Sequence, residues 1–121
     1  HIHAWPEMRG VIAQIAHENE LPLRAIDDEH RAFLRGAGVR TSDLFIGEFF
    51  APGSMDGDRL LEALAALPEG VSELMCHPGY DDRHLSDSSF RREREAELML
   101  LCRPDVRSAV ADVSLITWAE I

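Results

Sequence analysis

The segment 71–80 carries residue types that could do chemistry. Residues 71–76 form a short, mostly apolar run between two turn signals rich in proline and glycine, which predicts a buried strand. Because a residue before proline is kept extended, His77 is expected at the carboxyl end of this strand, where α/β proteins place their active sites. Side chains alternate along a strand, so Glu73 and His77 share one face. An acid and an imidazole therefore point into the same space.

A second pair of histidines opens the chain as His1-Ile2-His3. If this segment ends a strand, His1 and His3 share one face about 6.6 Å apart at Cα, where they could share a metal or divide the roles of ligand and acid. Alone, such a motif is more often a disordered end or a tag remnant, and a histidine before Pro-Gly is more often a turn residue. Two histidine sites, each at a predicted strand end, together favour a metal hydrolase on an α/β barrel.

The elements that must position these residues alternate between extended runs and helices. Extended runs are predicted at residues 23–26, 43–47, 71–76 and 113–118, and helices at about 6–18, 29–35, 58–67, 90–102 and 104–111. The buried face of the first helix is predicted from the helical spacing of Met8, Val11, Ile12 and Ile15. His17 and His30 lie on helices among charged neighbours and are expected to be solvated. Strands separated by helices imply parallel pairing through crossovers, so the fold class is α/β.

Composition limits the functions that need to be considered. The chain has 121 residues, 45% of them hydrophobic, which suits one core and a single domain or a piece of a larger one. A formal charge of −10 argues against nucleic-acid binding, which needs a basic face, and suits a neutral or cationic partner better. Cys76 and Cys102 fit neither a metal spacing nor a disulfide framework, so reduced thiols and a cytoplasmic location are expected. Neither a membrane span nor a signal segment is expected.

Four segments together resemble a known family. His1-Ile2-His3-Ala4-Trp5-Pro6 is similar to the end of the Asp-x-His-x-His-x-His-x-x-Pro signature of YdjC-like carbohydrate deacetylases, the group that includes chitooligosaccharide deacetylase and the hopanoid-biosynthesis-associated deacetylases. The resemblance continues, in the family's order, through VRTSDLFIG at 39–47, ELMCHPG at 73–79 and REAEL at 94–98. No single motif is decisive, but the ordered set is fairly specific.

The resemblance implies a distorted, TIM-like (β/α) barrel that binds a divalent metal, Mg or Zn, and removes an acetyl group from an N-acetylated sugar or glycolipid. His1 or His3 would be the metal ligand, and His77 would protonate the leaving amine or support the developing oxyanion. The remaining candidates are substrate-binding residues, with Tyr80 able to stack on a sugar ring: Arg24, Asp43, Glu73 and Tyr80. For Arg24 and Glu73, a structural ion pair is about equally expected.

The family's early strands, with the metal-binding aspartate, have no counterpart in this sequence. We therefore expect the C-terminal half of a deacetylase barrel over residues 1–121, inactive by itself, with open strand edges that invite homo-oligomers or strand exchange. Two alternatives stay open. One is another His-x-His metal hydrolase of the amidohydrolase or PHP type, and the other is a noncatalytic half-barrel that binds a partner.

Overall fold

A computed structural model describes residues 5–47, 56–81 and 91–121, with residues 91 and 92 described through their backbone only. The described part contains five α-helices, two strands and a short 3-10 helix. In chain order they are α1 (Pro6–Glu18), α2 (Asp28–Gly36), β1 (Leu44–Ile46), α3 (Gly57–Ala65), β2 (Ser72–Leu74), α4 (Arg91–Leu101), α5 (Pro104–Ala109) and the 3-10 helix (Trp118–Glu120). The α/β class is confirmed.

The two strands β1 and β2 pair in a short two-stranded sheet. They run parallel, as the hydrogen bonds between them show. The Leu44 N–H donates to the Val71 carbonyl at 3.2 Å, and further along the same pair of strands the Met75 N–H donates to the Ile46 carbonyl at 3.0 Å. Both strands fall inside the runs predicted for them, although each is shorter. The helix between them supplies the crossover that a parallel pair needs.

The predicted strand at residues 113–118 is wrong. This segment leads instead into the 3-10 helix Trp118–Glu120. Its start is fixed by a capping box, in which the Glu120 carboxylate accepts hydrogen bonds from the Thr117 N–H at 2.7 Å and the Thr117 hydroxyl at 2.8 Å. An apolar pattern of this kind gives β propensity, but a strand also needs a neighbouring ladder. The run at 23–26 likewise lies outside the sheet, although the Leu23 N–H donates to the Arg40 carbonyl at 2.9 Å.

The chain divides into two compact units. The first comprises His1–Phe45, Glu69–Glu73 and Leu115–Ile121, and its core is built from small and aliphatic side chains: Ala13, Ala16, Ala25, Leu34 and Val39. The predicted face of α1 is therefore wrong in part, since Val11 and Ile15 are 53% and 49% exposed. Helix α1 turns its alanines into the core instead, and these lie beside the aliphatic stripe on the helical wheel.

His30, expected in solvent, is 1% exposed within the first unit. Helix α2 begins one residue after Asp27, whose carboxylate caps it by accepting the His30 N–H at 2.7 Å. Burial lowers the pKa of the imidazole, the nearby charge of Arg9 lowers it further, and Asp27 opposes both. The solvated position predicted for His30 from its charged sequence neighbours is therefore wrong, because this histidine lies in the core. His17 is exposed, as expected.

The second unit comprises Ile46–Pro68 and Leu74–Ser114. Within it α3 packs against α5, and the core residues Leu60 and Val106 are 0% and 4% exposed. Helix α3 begins after Asp56, whose side chain accepts the Asp58 N–H at 2.9 Å. Among the described helices of both units, none has the length and apolarity that crossing a bilayer requires.

Candidate functional site

His77 follows β2 in the second unit, and its side chain is exposed. Its backbone is tied to α4: the His77 N–H donates to Glu97 Oε2 at 2.5 Å, and Arg94 Nη1 donates to the His77 carbonyl at 3.3 Å. The Gly79 N–H also donates to the Arg94 carbonyl at 3.1 Å. Helix α4 therefore holds the turn while the imidazole remains open to solvent, as a group that exchanges protons with a bound molecule must be.

Glu97 is a residue whose role the sequence did not reveal. It belongs to the REAEL segment, and in the structure it is only 3% exposed. The pKa of the Cys76 thiol is raised mainly by burial, and the nearby negative charge of Glu97 raises it further. Cys76 therefore stays protonated at neutral pH and is neither a ready nucleophile nor a ready metal ligand.

Tyr80 lies three residues beyond His77 and is 76% exposed. A tyrosine that packs within this unit would be buried, so the exposed ring of Tyr80 is open to contact with another molecule. Its predicted stacking on a sugar ring stays a prediction. Trp5, the other aromatic residue suited to stacking, is 63% exposed in the first unit.

Arg24 and Glu73 form an ion pair in the first unit. Arg24 Nε donates to Glu73 Oε1 at 2.6 Å, and Arg24 Nη2 donates to the same oxygen. The guanidinium carbon lies 5.0 Å from the ring centre of Phe45. The side chains are 23% and 13% exposed. For Arg24 and Glu73 the sequence left open a role in substrate binding and a role as a structural ion pair. The observed contact supports the structural ion pair.

Asp43 joins the end of α2 to the start of β2 within the first unit. Its carboxylate accepts the Val71 N–H at 2.8 Å and a hydrogen bond from Arg35 Nη2 at 2.5 Å. The Val71 amide and then the Arg35 guanidinium lower the pKa of this carboxyl group. Gly70 packs against the same group, since a Cβ there would lie 2.4 Å from Asp43 Oδ2. The contacts of Asp43 are therefore those of a residue that holds the strand in place.

Comparison with known families matches residues 1–112 to the model of the YdjC-like protein family. The chain belongs to the YdjC-like family. This confirms the resemblance that the four ordered segments indicated.

Relatives within the YdjC-like family are named as deacetylases. A carbohydrate deacetylase of Thermoanaerobacter pseudethanolicus is 33% identical over 119 residues, covering 96% of this chain and 47% of the relative. A chitooligosaccharide deacetylase of Yersinia pestis is 31% identical over 116 residues, covering 92% of this chain and 45% of the relative. The chain spans about half the length of the curated relatives it matches.

A solved structure also resembles this YdjC-like chain. An Enterococcus faecalis V583 protein described as a cellobiose-phosphate cleavage protein superimposes with a TM-score of 0.81 and 25% sequence identity. The match covers 97% of this chain and 48% of that protein. The superposition extends the similarity from the motifs to nearly the whole backbone.

The metal ligands predicted for this YdjC-like chain, His1 and His3, lie outside the described residues. Within residues 5–47, 56–81 and 91–121, there is no group of three or more His, Cys, Asp or Glu side chains that could hold a metal ion. The described part therefore does not by itself fit a divalent cation. Any contribution of this chain to a metal site rests on the predicted pair.

Proposed function

We propose that the protein is a metal-dependent hydrolase that removes an acetyl group from an N-acetylated sugar or glycolipid. The observation that carries the proposal is the exposed imidazole of His77, three residues beyond the end of a parallel strand, in a chain whose relatives are named carbohydrate deacetylases. An amide is a difficult substrate because its amine leaves poorly unless it is protonated. An exposed histidine on a tethered backbone meets that requirement.

The steps assigned to this chain are binding and proton transfer. His77 donates a proton to the departing amine nitrogen or supports the developing charge on the carbonyl oxygen. Tyr80 offers an exposed ring on which a sugar can stack. His1 and His3 are the proposed ligands of the divalent metal, Mg or Zn. When bound, that ion supplies the Lewis acidity that lets water act at neutral pH.

For the architecture, we propose that residues 1–121 form the C-terminal portion of a TIM-like barrel. Support comes from the short parallel sheet and from coverage of about half of each deacetylase relative. By itself the 121-residue chain is then expected to bind divalent metal weakly and to release no acetate. A cytoplasmic location stays a prediction.

The test is the replacement His77→Ala in the protein as its gene encodes it. N-acetylated chitooligosaccharides are the substrate, released acetate is measured, and the matched control is His17→Ala, which removes another exposed histidine. General acid–base groups contribute roughly 100- to 10,000-fold, so kcat should fall by at least about 100-fold in the first variant only. Retention of activity by His77→Ala refutes the role of His77, and absence of acetate release by the wild type refutes the substrate class.

A noncatalytic interaction module is the second candidate. Such a module would use the exposed apolar side chains of the first unit, of which Leu115 is 81% exposed and Val11 and Ile15 are about half exposed. Self-association or strand exchange of the isolated chain on a sizing column would agree with a half-barrel in either function. A compact monomer on the same column would count against the half-barrel architecture.

A further inference from the structure

The backbone of the turn after β2, residues 77–79, forms its hydrogen bonds with one helix, α4. Pro78 has no N–H, so residues 77–79 have two amide donors, those of His77 and Gly79. Both donate to α4, the first to the Glu97 carboxylate and the second to the Arg94 carbonyl. The His77 carbonyl in turn accepts from Arg94 Nη1. The turn is therefore oriented by two residues of α4 rather than by the strand alone.

Glu97 is the residue in this arrangement whose burial calls for an explanation. A carboxylate that is 3% exposed is costly unless it is hydrogen-bonded, and the His77 amide is one donor that stabilises it. Arg94 and Glu97 stand three residues apart, so they project from the same face of α4. One face of α4 thus presents a cationic donor, Arg94, to the carbonyl of His77 and an anionic acceptor, Glu97, to the N–H of the same residue.

We propose that Glu97 is a positioning residue, whose carboxylate fixes the backbone of His77 and so sets the place from which the exposed imidazole meets the substrate. This inference rests on the proposed function, because positioning matters only if His77 acts in the reaction. A hydrogen bond to a charged acceptor is shorter and stronger than one to a neutral acceptor, which suits a buried carboxylate to this role. Displacement of a catalytic group by about 1 Å can cost on the order of 100-fold in rate.

Three substitutions separate the acceptor from the charge. Glu97→Gln keeps an oxygen that can accept the His77 N–H but removes the charge, whereas Glu97→Leu removes the acceptor at similar volume. Glu97→Asp keeps the charge and withdraws it by one methylene. The matched control is Glu95→Leu, because Glu95 is an exposed glutamate on the same helix. All four are made in the protein as its gene encodes it, and folding is checked by circular dichroism.

The first measurement is hydrogen exchange at the His77 amide, which does not depend on catalysis. We expect protection in the wild type, in Glu97→Gln and in Glu95→Leu, and a loss of at least about 10-fold in Glu97→Leu, because an amide without its acceptor is open to exchange. Unchanged protection in Glu97→Leu overturns the tether whatever the enzyme does. If Glu97→Leu fails to fold, Glu97→Asp replaces it in the comparison with the same expected direction.

The second measurement is the split between kcat and KM with N-acetylated chitooligosaccharides. Loss of positioning should lower kcat by about 10- to 100-fold in Glu97→Leu with KM within about 2-fold, and Glu97→Gln should recover kcat to within about 3-fold of the wild type. A variant that loses amide protection but keeps kcat overturns the positioning role. Acetate release that is absent from the wild type, together with lost amide protection in Glu97→Leu, overturns the proposed function and leaves the tether standing.

Discussion

The ion pair between Arg24 and Glu73 allows a structural role to be separated from substrate binding. Replacing Arg24 by Met removes the guanidinium that Glu73 Oε1 accepts from at 2.6 Å and leaves a carboxylate that is 13% exposed. Replacing Glu73 by Leu leaves the guanidinium, which is 23% exposed and lies over Phe45. The double variant removes both charges and places two apolar side chains in the same space.

The magnitude follows from the exposure of the pair. Loss of one partner from a fully buried pair costs about 3–5 kcal/mol of unfolding free energy. Since Arg24 and Glu73 both retain some contact with solvent, we expect about 2–3 kcal/mol for Arg24→Met and somewhat less for Glu73→Leu. The double variant should lie within about 1 kcal/mol of the wild type, because paired buried charges can be replaced by apolar groups at little cost.

Urea denaturation is the appropriate assay, because urea is uncharged and does not screen the pair. The three variants and the wild type form a double-mutant cycle, and we expect a coupling energy of about 2 kcal/mol or more. Single variants that each lose less than about 0.5 kcal/mol would refute the structural role. If the double variant regains stability but binds the sugar substrate poorly, with KM raised about 10-fold, the pair contacts substrate after all.

Three further predictions concern single positions. Asp43→Asn should reduce the loss of unfolding free energy that occurs as the pH is lowered. Because the pKa of Asp43 is lowered in the folded state, its contribution to stability is present above about pH 4 and is lost as the pH falls through the folded-state pKa. Unfolding measured as a function of pH will check this. Gly70→Ala should destabilise by about 1–3 kcal/mol, since φ is 108° and the new Cβ meets Asp43, whereas Gly10→Ala on open α1 should be neutral or stabilising in the same denaturation assay. Iodoacetamide should alkylate exposed Cys102 before Cys76, whose pKa is raised, as mass spectrometry of timed digests will show.

Local signals predicted the local structure well. The first helix, predicted at 6–18, is Pro6–Glu18, and β1 and β2 lie within the runs predicted at 43–47 and 71–76. Errors arose where a second element decides the outcome. The extended run predicted at 113–118 could not show that the Thr117 capping box would take the chain into a 3-10 helix.

The tertiary contacts of the candidate site were harder to predict. The spacing of Arg94 and Glu97 places them on one helix face, but it cannot identify the backbone they meet, which lies about 20 residues earlier in the chain. His30 illustrates the same limit, because its charged neighbours in the sequence predicted a solvated side chain, whereas the folded chain leaves it 1% exposed. Helical periodicity likewise identified an apolar stripe on α1 without showing that Ala13 and Ala16 beside it make the core contact.

The contacts divide the described candidates into two kinds of residue. Glu73 Oε1 accepts from Arg24, whereas Glu73 Oε2 is buried without a hydrogen-bond partner among the described residues, and the Asp43 carboxylate accepts from Arg35 and the Val71 amide. A substrate that bound Arg24, Glu73 Oε1 or the Asp43 carboxylate would first have to break a charge-assisted hydrogen bond, which costs more than a neutral one.

His77 and Tyr80 face no such cost at their side chains, because both are exposed, and the polar bonds that hold the turn are made by its backbone with α4. In the proposed deacetylase, direct contact with a sugar is therefore better assigned to these two residues than to the three charged ones. On this reasoning substitutions at Arg24, Asp43 and Glu73 act mainly through stability. If the proposed deacetylase function holds, substitutions at His77 and Tyr80 are expected to change kcat and KM in a protein that remains folded.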